Sequence, residues 1–134
     1  MAERAEPRSI DAALAALTFL PNRTPATTDE DAGDAFGRLA PYRDGAVFVG
    51  HWAGASEWER HPVGDEIVMV VDGGTTIILL EDGAERAHPM GPGELIVVPQ
   101  GTWHRFETPD AVKVLSVTPQ PTEHRSDTSS LPPD

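Results

Sequence analysis

The chain has 134 residues, with 10 lysines and arginines against 22 aspartates and glutamates, so its formal net charge at pH 7 is −12. This length fits one domain with a single core. The negative charge argues against binding nucleic acid or an anionic membrane surface through a basic face. The absence of cysteine excludes disulfides, thiolate catalysis and cysteine-ligated zinc.

The first residues are charged and no long apolar run follows them, so we expect no secretory signal. The longest apolar stretches are too short to span a membrane. We therefore expect a cytoplasmic protein.

Residues 9–20 predict a short helix with Ser9 as its N-cap, ended by Pro21. Its apolar stripe consists of Ile10, Ala13, Leu14 and Leu17. A helix this short is marginal alone, so we expect it to pack on the main body or on a second subunit. Residues 22–35 predict a polar loop whose acidic side chains are solvated, namely Asp29, Glu30, Asp31 and Asp34. Residues 1–45 are therefore expected to form a helix and loop extension.

From residue 46 onward, short β-rich runs alternate with glycine and proline turn signals. The predicted strands are 47–52, 57–61, 66–72, 75–80, 85–88, 95–99, 103–107 and 112–118. No helical pattern intervenes, so we expect an all-β barrel or sandwich over residues 46–119 and no parallel βαβ sheet. Residues 120–134 are rich in proline, serine, threonine and aspartate and predict a flexible tail.

The two-residue period of a strand places titratable side chains on the apolar face. Glu59 and His61 share one face of their predicted strand. Glu66 lies in phase with two valines of the next strand, and His104 lies in phase with Phe106. Buried charged groups are costly unless they are paired or bind a metal. We therefore predict that Glu59, His61, Glu66 and His104 converge on a divalent metal inside the barrel.

The first of these segments resembles a motif of the cupin superfamily. That motif runs G-x5-H-x-H-x(3,4)-E-x6-G, and this chain has Glu59-x-His61-x4-Glu66-x6-Gly73. Glu59 stands where the family has its first histidine, and Ala53 stands at the leading glycine position. The first motif is therefore a variant.

The second segment is closer to its family counterpart, which runs G-x5-P-x-G-x2-H-x3-N. Here the chain has Gly93-x5-Pro99-x-Gly101-x2-His104, with Thr108 at the last position. Together the two motifs identify the chain as resembling a small single-domain cupin. The resemblance implies a double-stranded β-helix, or jelly-roll barrel, with a short N-terminal helical extension.

The resemblance also implies a metal site, with two alternatives for its ligands. The usual three histidines and one glutamate would become two histidines and two glutamates, namely Glu59, His61, Glu66 and His104. A second carboxylate favours Fe, Mn, Zn or Ni as divalent ions over Cu(I). Alternatively His61, Glu66 and His104 hold the metal alone, and Glu59 is free to act as a general base.

The function that the resemblance implies is a metal-dependent enzyme acting on a small molecule, of dioxygenase, isomerase or lyase type. The metal would act as a Lewis acid or activate oxygen. The alternative is a non-catalytic module that binds or senses a small molecule and is metal-free if Glu59 has removed metal binding. The family often forms dimers, so we expect a homodimer.

Other polar and aromatic residues have simpler interpretations. We expect Glu57 to be exposed where its strand begins, His51 to be an ordinary strand histidine rather than part of the barrel mouth, His88 to be on the surface and His124 to have no role in the tail. Trp58 and Trp103 are expected to pack between sheets or subunits, with Arg60 and Arg105 facing away from the interior.

Overall fold

The computed structural model describes residues 4–126 and 132, and strands dominate it. Its elements in chain order are α1 (Ile10–Ala15), β1 (Leu20–Arg23), α2 (Asp29–Ala32), β2 (Phe36–Tyr42), β3 (Gly45–Ala55), β4 (Trp58–Arg60), β5 (Glu66–Gly73), β6 (Thr75–Glu81), β7 (Ala84–Met90), β8 (Leu95–Val98), β9 (His104–Pro119) and β10 (Glu123–Arg125). The prediction of an all-β body with a short N-terminal helix is confirmed.

Strand β9 organises the sheet, because it pairs with four other strands. Along one edge it runs antiparallel to β3, from Gly45 opposite Pro119 to Ala55 opposite Glu107. It also pairs with β4, β5 and β6. The prediction had divided this segment into two strands, but a single strand runs through residues 108–111, where its pairing with β3 shifts register. The long strand thereby links the segments that carry the predicted site residues.

Inward-facing side chains at alternate positions form the core of the barrel. Its buried members are Trp52, Val68, Val70, Ile77, Leu79, Met90, Val98, Phe106, Val112 and Val114. A second, smaller cluster of Trp58, Ile78 and Trp103 lies apart from this core. The Arg60 guanidinium stacks on Trp103 at 4.6 Å, and that of Arg105 stacks on Trp58 at 5.2 Å. The packing role predicted for the two tryptophans is confirmed.

The N-terminal extension differs from the prediction. Ser9 caps α1 as expected, but the helix ends at Ala15 instead of residue 20. Pro21 lacks a backbone N–H and favours extended backbone before it, so the chain turns into β1, which runs parallel to β3. Leu20 pairs with Trp52 and Arg23 with Gly54.

The region predicted as a loop contains a helical turn, and a strand follows it. Thr28 and Asp31 form a capping box that begins α2, and this explains why an acidic segment is helical. The acidic side chains of this turn are exposed, as predicted. The following segment forms β2, which pairs with β3.

The C-terminal segment is also more ordered than predicted. β10 runs antiparallel to β4, with His124 opposite Glu59, so the prediction of a flexible tail is wrong for residues 123–125. The remainder of the predicted tail, apart from residues 120–122, 126 and 132, lies outside the described residues. All three predicted segments, 1–45, 46–119 and 120–134, contribute strands to one sheet. The division of the chain at these boundaries stays a prediction.

Neither helix in the described part of the chain is long and apolar enough to cross a membrane.

Candidate metal centre

The four predicted site residues meet at one end of the barrel core. Glu59 lies in β4, His61 directly follows it, and Glu66 and His104 are the first residues of β5 and β9. Glu66 Oε1 lies 3.0 Å from His104 Nε2 and 3.3 Å from His61 Nε2. Glu59 Oε1 lies 3.8 Å from His104 Nε2. The predicted convergence is therefore present in the fold.

Glu59 differs from the other three in its access to solvent. The side chains of His104, His61 and Glu66 are 0%, 3% and 6% exposed, whereas that of Glu59 is 18% exposed. Glu59 thus sits at the boundary between the buried cluster and the open space above it.

Each buried site residue is held by a hydrogen bond on its outer atom. His104 Nδ1 donates to the Thr102 carbonyl at 2.9 Å, which leaves Nε2 with a free lone pair when the ring is neutral. His61 Nδ1 lies 3.0 Å from Thr122 Oγ1, and Thr118 Oγ1 donates to Glu66 Oε2 at 2.6 Å. Outer contacts of this kind fix the orientation of metal ligands in proteins.

The inner atoms of the same three residues lack hydrogen-bond partners. His61 Nε2, Glu66 Oε1 and His104 Nε2 are buried and unsatisfied, although Glu66 Oε1 lies within 3.3 Å of both nitrogens. Leaving such atoms without a partner is expensive. Three buried donor atoms that face one another without satisfying one another are what a metal ion requires.

The spacing of these atoms fits a divalent transition metal. Adjacent ligands on an ion with bonds of about 2.1 Å lie roughly 3.0–3.4 Å apart, depending on octahedral or tetrahedral geometry. The two Glu66 contacts agree with this spacing. Ligand atoms of Glu59, His61 and His104 also lie within 4.8 Å of one another. The geometry therefore accommodates Glu59 or Glu66 as the carboxylate, or both.

The imidazoles and carboxylates of the cluster shift one another's pKa values even without a metal. Burial by itself would raise the pKa of Glu66, but the two neighbouring imidazoles outweigh burial and lower that pKa to about 2. Burial would likewise lower the pKa of His104, but contact with Glu66 and the charge of Glu59 raise it above its ordinary value.

A cavity of about 510 Å³ opens above the cluster, and Glu59, His61 and Glu66 line its floor. Val68, Phe106 and Val114 line it from the core, and residues of the N- and C-terminal segments line it as well. The cavity has room for a small organic molecule in contact with the candidate metal site.

Two expectations about nearby residues are wrong. His124, expected to have no role, lines the cavity, and its Nδ1 lies 2.6 Å from Glu57 Oε1 and 4.0 Å from Glu59 Oε2. Glu57, expected to be exposed, has a side chain that is 24% exposed and also lines the cavity. Both differences arise because β10 pairs with β4 and covers this side of the site.

The other histidines conform to their expected roles. His51 stacks on Phe19 at 4.7 Å between ring centres and is absent from the cavity lining. His88 contacts Glu81 near the surface, 3.2 Å between Nε2 and Oε1.

Sequence reasoning missed Arg23, Thr118 and Thr122, all of which line the cavity. The sequence could have predicted that Thr118 faces inward, because it is in phase with Val114 along a predicted strand. No sequence pattern indicated that Arg23 and Thr122 line the cavity, since both lie in segments predicted to be outside the barrel.

Comparison with known proteins gives one curated activity and a shared fold. Over 60 residues the chain is 38% identical to acireductone dioxygenase of two strains of Rhodopseudomonas palustris, a match that covers 45% of this chain and 36% of the relative. The chain thus matches about a third of the length of those relatives.

Solved structures agree on the fold. A cupin-2 domain protein from Shewanella frigidimarina superposes with a TM-score of 0.53 at 22% identity, covering 67% of this chain and 79% of the other. A protein from Neisseria meningitidis superposes with a TM-score of 0.60 at 16% identity, covering 86% of this chain and 100% of the other. Residues 49–118, more than half of the chain, match the cupin domain family. The chain therefore belongs to the cupin family, and its β-strands form a cupin fold.

Proposed function

We propose that this cupin is a metal-dependent enzyme that acts on a small organic molecule, with dioxygenase chemistry favoured over isomerase or lyase chemistry. The observation that carries the proposal is the set of three buried, unsatisfied atoms on His61, Glu66 and His104. His61 and Glu66 line the floor of an open cavity, and His104 lies buried directly behind them. The similarity to acireductone dioxygenase supports the choice of reaction class.

His61, Glu66 and His104 would hold the ion, a pattern of two histidines and one carboxylate that suits Fe(II) and also accepts Mn, Zn or Ni. When bound, the metal supplies Lewis-acid or oxygen-activating chemistry. Thr102, Thr122 and Thr118 keep the three ligands oriented through their outer atoms.

Glu59 is the residue placed to move a proton. Its carboxylate lies beside the cluster but is more exposed than the three ligands, so a substrate in the cavity can reach it. A carboxylate within hydrogen-bond reach of a substrate acts as a general base. Its contact with His104, at 3.8 Å, is longer than the two contacts that Glu66 makes with the histidines, which favours this role over that of a fourth ligand.

The second candidate is a metal-free module that binds or senses a small molecule. It is favoured by the charge balance within the cluster, since Glu66 lies between two imidazoles and its pKa is lowered to about 2. Such an arrangement can persist as a buried ion pair without any metal.

Metal analysis separates the two candidates. Protein reconstituted with Fe, Mn, Ni or Zn should carry close to one ion per chain, and His61→Ala and His104→Ala should each lose most of it. The surface variant His88→Ala is the matched control and should keep the metal. Negligible metal in the wild type after all four reconstitutions would overturn the enzyme proposal and leave the metal-free module.

Oxygen consumption then tests the reaction class. Metal-loaded protein supplied under air with acireductone or with simple 2-oxo and 2-hydroxy acids should consume oxygen with at least one of them, at a rate that His104→Ala abolishes. A metal-loaded protein that converts substrate without consuming oxygen would point to the isomerase or lyase type. The homodimer and the cytoplasmic location stay predictions, which light scattering and cell fractionation check.

A further inference from the structure

The cavity wall carries a cation, Arg23, that the proposed chemistry does not use. Arg23 is the last residue of β1, and its backbone is fixed by pairing with Gly54 of β3. It is the only arginine or lysine among the described residues that line the cavity. In a protein of net charge −12, one cation beside a metal centre needs an explanation.

Two aromatic rings hold the guanidinium of Arg23 in the cavity wall. Its Cζ lies 4.7 Å from the centre of the Trp52 ring and 4.9 Å from that of the Phe36 ring. The centres of the two rings are only 5.3 Å apart, so both rings contact the guanidinium from one side and leave its other side open to the cavity. Arg23 is thus pre-oriented, so little side-chain freedom remains to be lost when a ligand binds.

The N–H donors of Arg23 have no protein partner in residues 4–126. No carboxylate in this part of the chain lies within ion-pair distance of the guanidinium, and Glu59 and Glu57 act on it only at longer range. Burial outweighs their attraction and lowers the pKa of Arg23. A partly buried guanidinium without a protein partner is stabilised by binding a carboxylate, because the two carboxylate oxygens match its fork of donors.

The charges of the site fit the same conclusion. Glu57, Glu59 and Glu66 line the cavity and contribute negative charge. A divalent metal and Arg23 together would balance these three carboxylates. Without Arg23 the site would repel an anion, so this residue is what would allow an acidic substrate to enter.

We propose that Arg23 is a carboxylate-binding residue and that the substrate is a small organic acid, held at its carboxylate by Arg23 while its other end reaches the centre formed by His61, Glu66 and His104. This inference rests on the proposed function, because it places the reacting end of the substrate at the metal. The guanidinium fork also matches a phosphate, so inorganic phosphate is the competitor that distinguishes the two anions.

Calorimetric titration of the metal-loaded protein with pairs of simple ligands tests the proposal. Succinate, glutarate and adipate are each compared with their own monomethyl ester, which lacks the second carboxylate. At least one diacid should bind the wild type roughly tenfold or more tightly than its ester, the effect of one charge-assisted contact. Arg23→Gln should remove this preference, and Arg23→Lys, which keeps the charge but loses the fork, should retain only part of it.

Controls separate this inference from the proposed function. Arg86→Gln removes an exposed arginine on the outer hairpin and should leave the preference intact. Metal content is measured on every sample, and a wild type without metal overturns the proposed function and the subsite with it. Metal-loaded protein that lacks the diacid preference, or keeps it in Arg23→Gln, overturns the subsite alone. Displacement of the diacid by inorganic phosphate would overturn the assignment to a carboxylate.

Discussion

Glu59 and His104 lie directly opposite each other in the antiparallel pair of β4 and β9, and their side chains meet with Oε1 3.8 Å from Nε2. Residues opposite each other in such a pair project on the same face of the sheet. The position that carries histidine in the related family motif thus faces the candidate site whichever residue occupies it. The pairing of β4 and β9 therefore places residue 59 at the candidate site, where the glutamate contributes a carboxylate.

Replacing Glu59 by glutamine tests its assignment as a base. Glu59→Gln should keep metal content near that of the wild type and lower turnover about 100-fold or more, the contribution of a general base. Elemental analysis and oxygen uptake measure the two effects. Glu123→Gln, an exposed carboxylate of β10 outside the cavity lining, is the control and should keep both. Loss of the metal in Glu59→Gln would instead make Glu59 a ligand.

Local sequence pattern predicted the site better than it predicted the ends of the chain. Glu59, His61, Glu66 and His104 could be found because their spacing follows the two-residue period of strands and two family motifs. The two-residue period predicts which face of a strand each side chain lies on, and this prediction does not depend on which other strand it pairs with.

The missed parts depend on pairing between distant segments. The hydrogen bond from Thr118 to Glu66 joins residues 52 positions apart, and that between Thr122 and His61 spans 61 positions. The three residues of β10 are too few to show alternation, and only their pairing with β4 makes them a strand. Tertiary context therefore decided what local propensity could not.

The threonines that orient the ligands should control metal affinity without binding the ion. Thr118→Val removes the donor to Glu66 Oε2, and Thr122→Val removes the partner of His61 Nδ1. Each should weaken metal binding by about 10- to 100-fold, as loss of an outer contact does in other metal sites. Competition with a chelator measures the affinity. Thr76→Val, on the half-buried face of β6, is the control, and an equal loss there would contradict a specific role.

Acid should destabilise the metal-free protein through Glu66. Its folded-state pKa of about 2 lies below the ordinary value of 4.5, so its contribution to the free energy of unfolding is present above pH 4.5 and is lost as pH falls towards 2. The raised pKa of His104 has the opposite sign, and its contribution is complete below pH 6.5 and lost as pH rises through the folded-state value. Urea unfolding of the metal-free protein across this range measures both effects.

Variants test which residue causes each change in the free energy of unfolding with pH. Glu66→Gln should flatten the loss of stability below pH 4.5 and also weaken the loss above pH 6.5, because contact with Glu66 raises the pKa of His104. His104→Ala should flatten the loss above pH 6.5. Unchanged acid sensitivity in Glu66→Gln would show that other carboxylates cause it.

Gly54 determines where Arg23 lies, and a single methyl group there should displace it. A Cβ on Gly54 would lie 2.1 Å from the carbonyl oxygen of Arg23 and 2.7 Å from its nitrogen, and both are backbone atoms that cannot rotate away. Gly54→Ala should therefore push β1 off β3, abolish the preference for a diacid over its monomethyl ester, and leave the metal content unchanged, because no proposed ligand lies in β1.

The control for Gly54→Ala is Gly83→Ala. Both glycines have positive φ, +118° for Gly54 and +76° for Gly83, but a Cβ on Gly83 would meet nothing within 4 Å. Backbone strain alone costs about 1–2 kcal/mol, so Gly83→Ala should lower the free energy of unfolding by that amount and keep the diacid preference. Gly54→Ala should cost more, because steric displacement of β1 adds to the strain. Equal losses of stability, with the preference kept in both variants, would contradict the link between Gly54 and the position of Arg23.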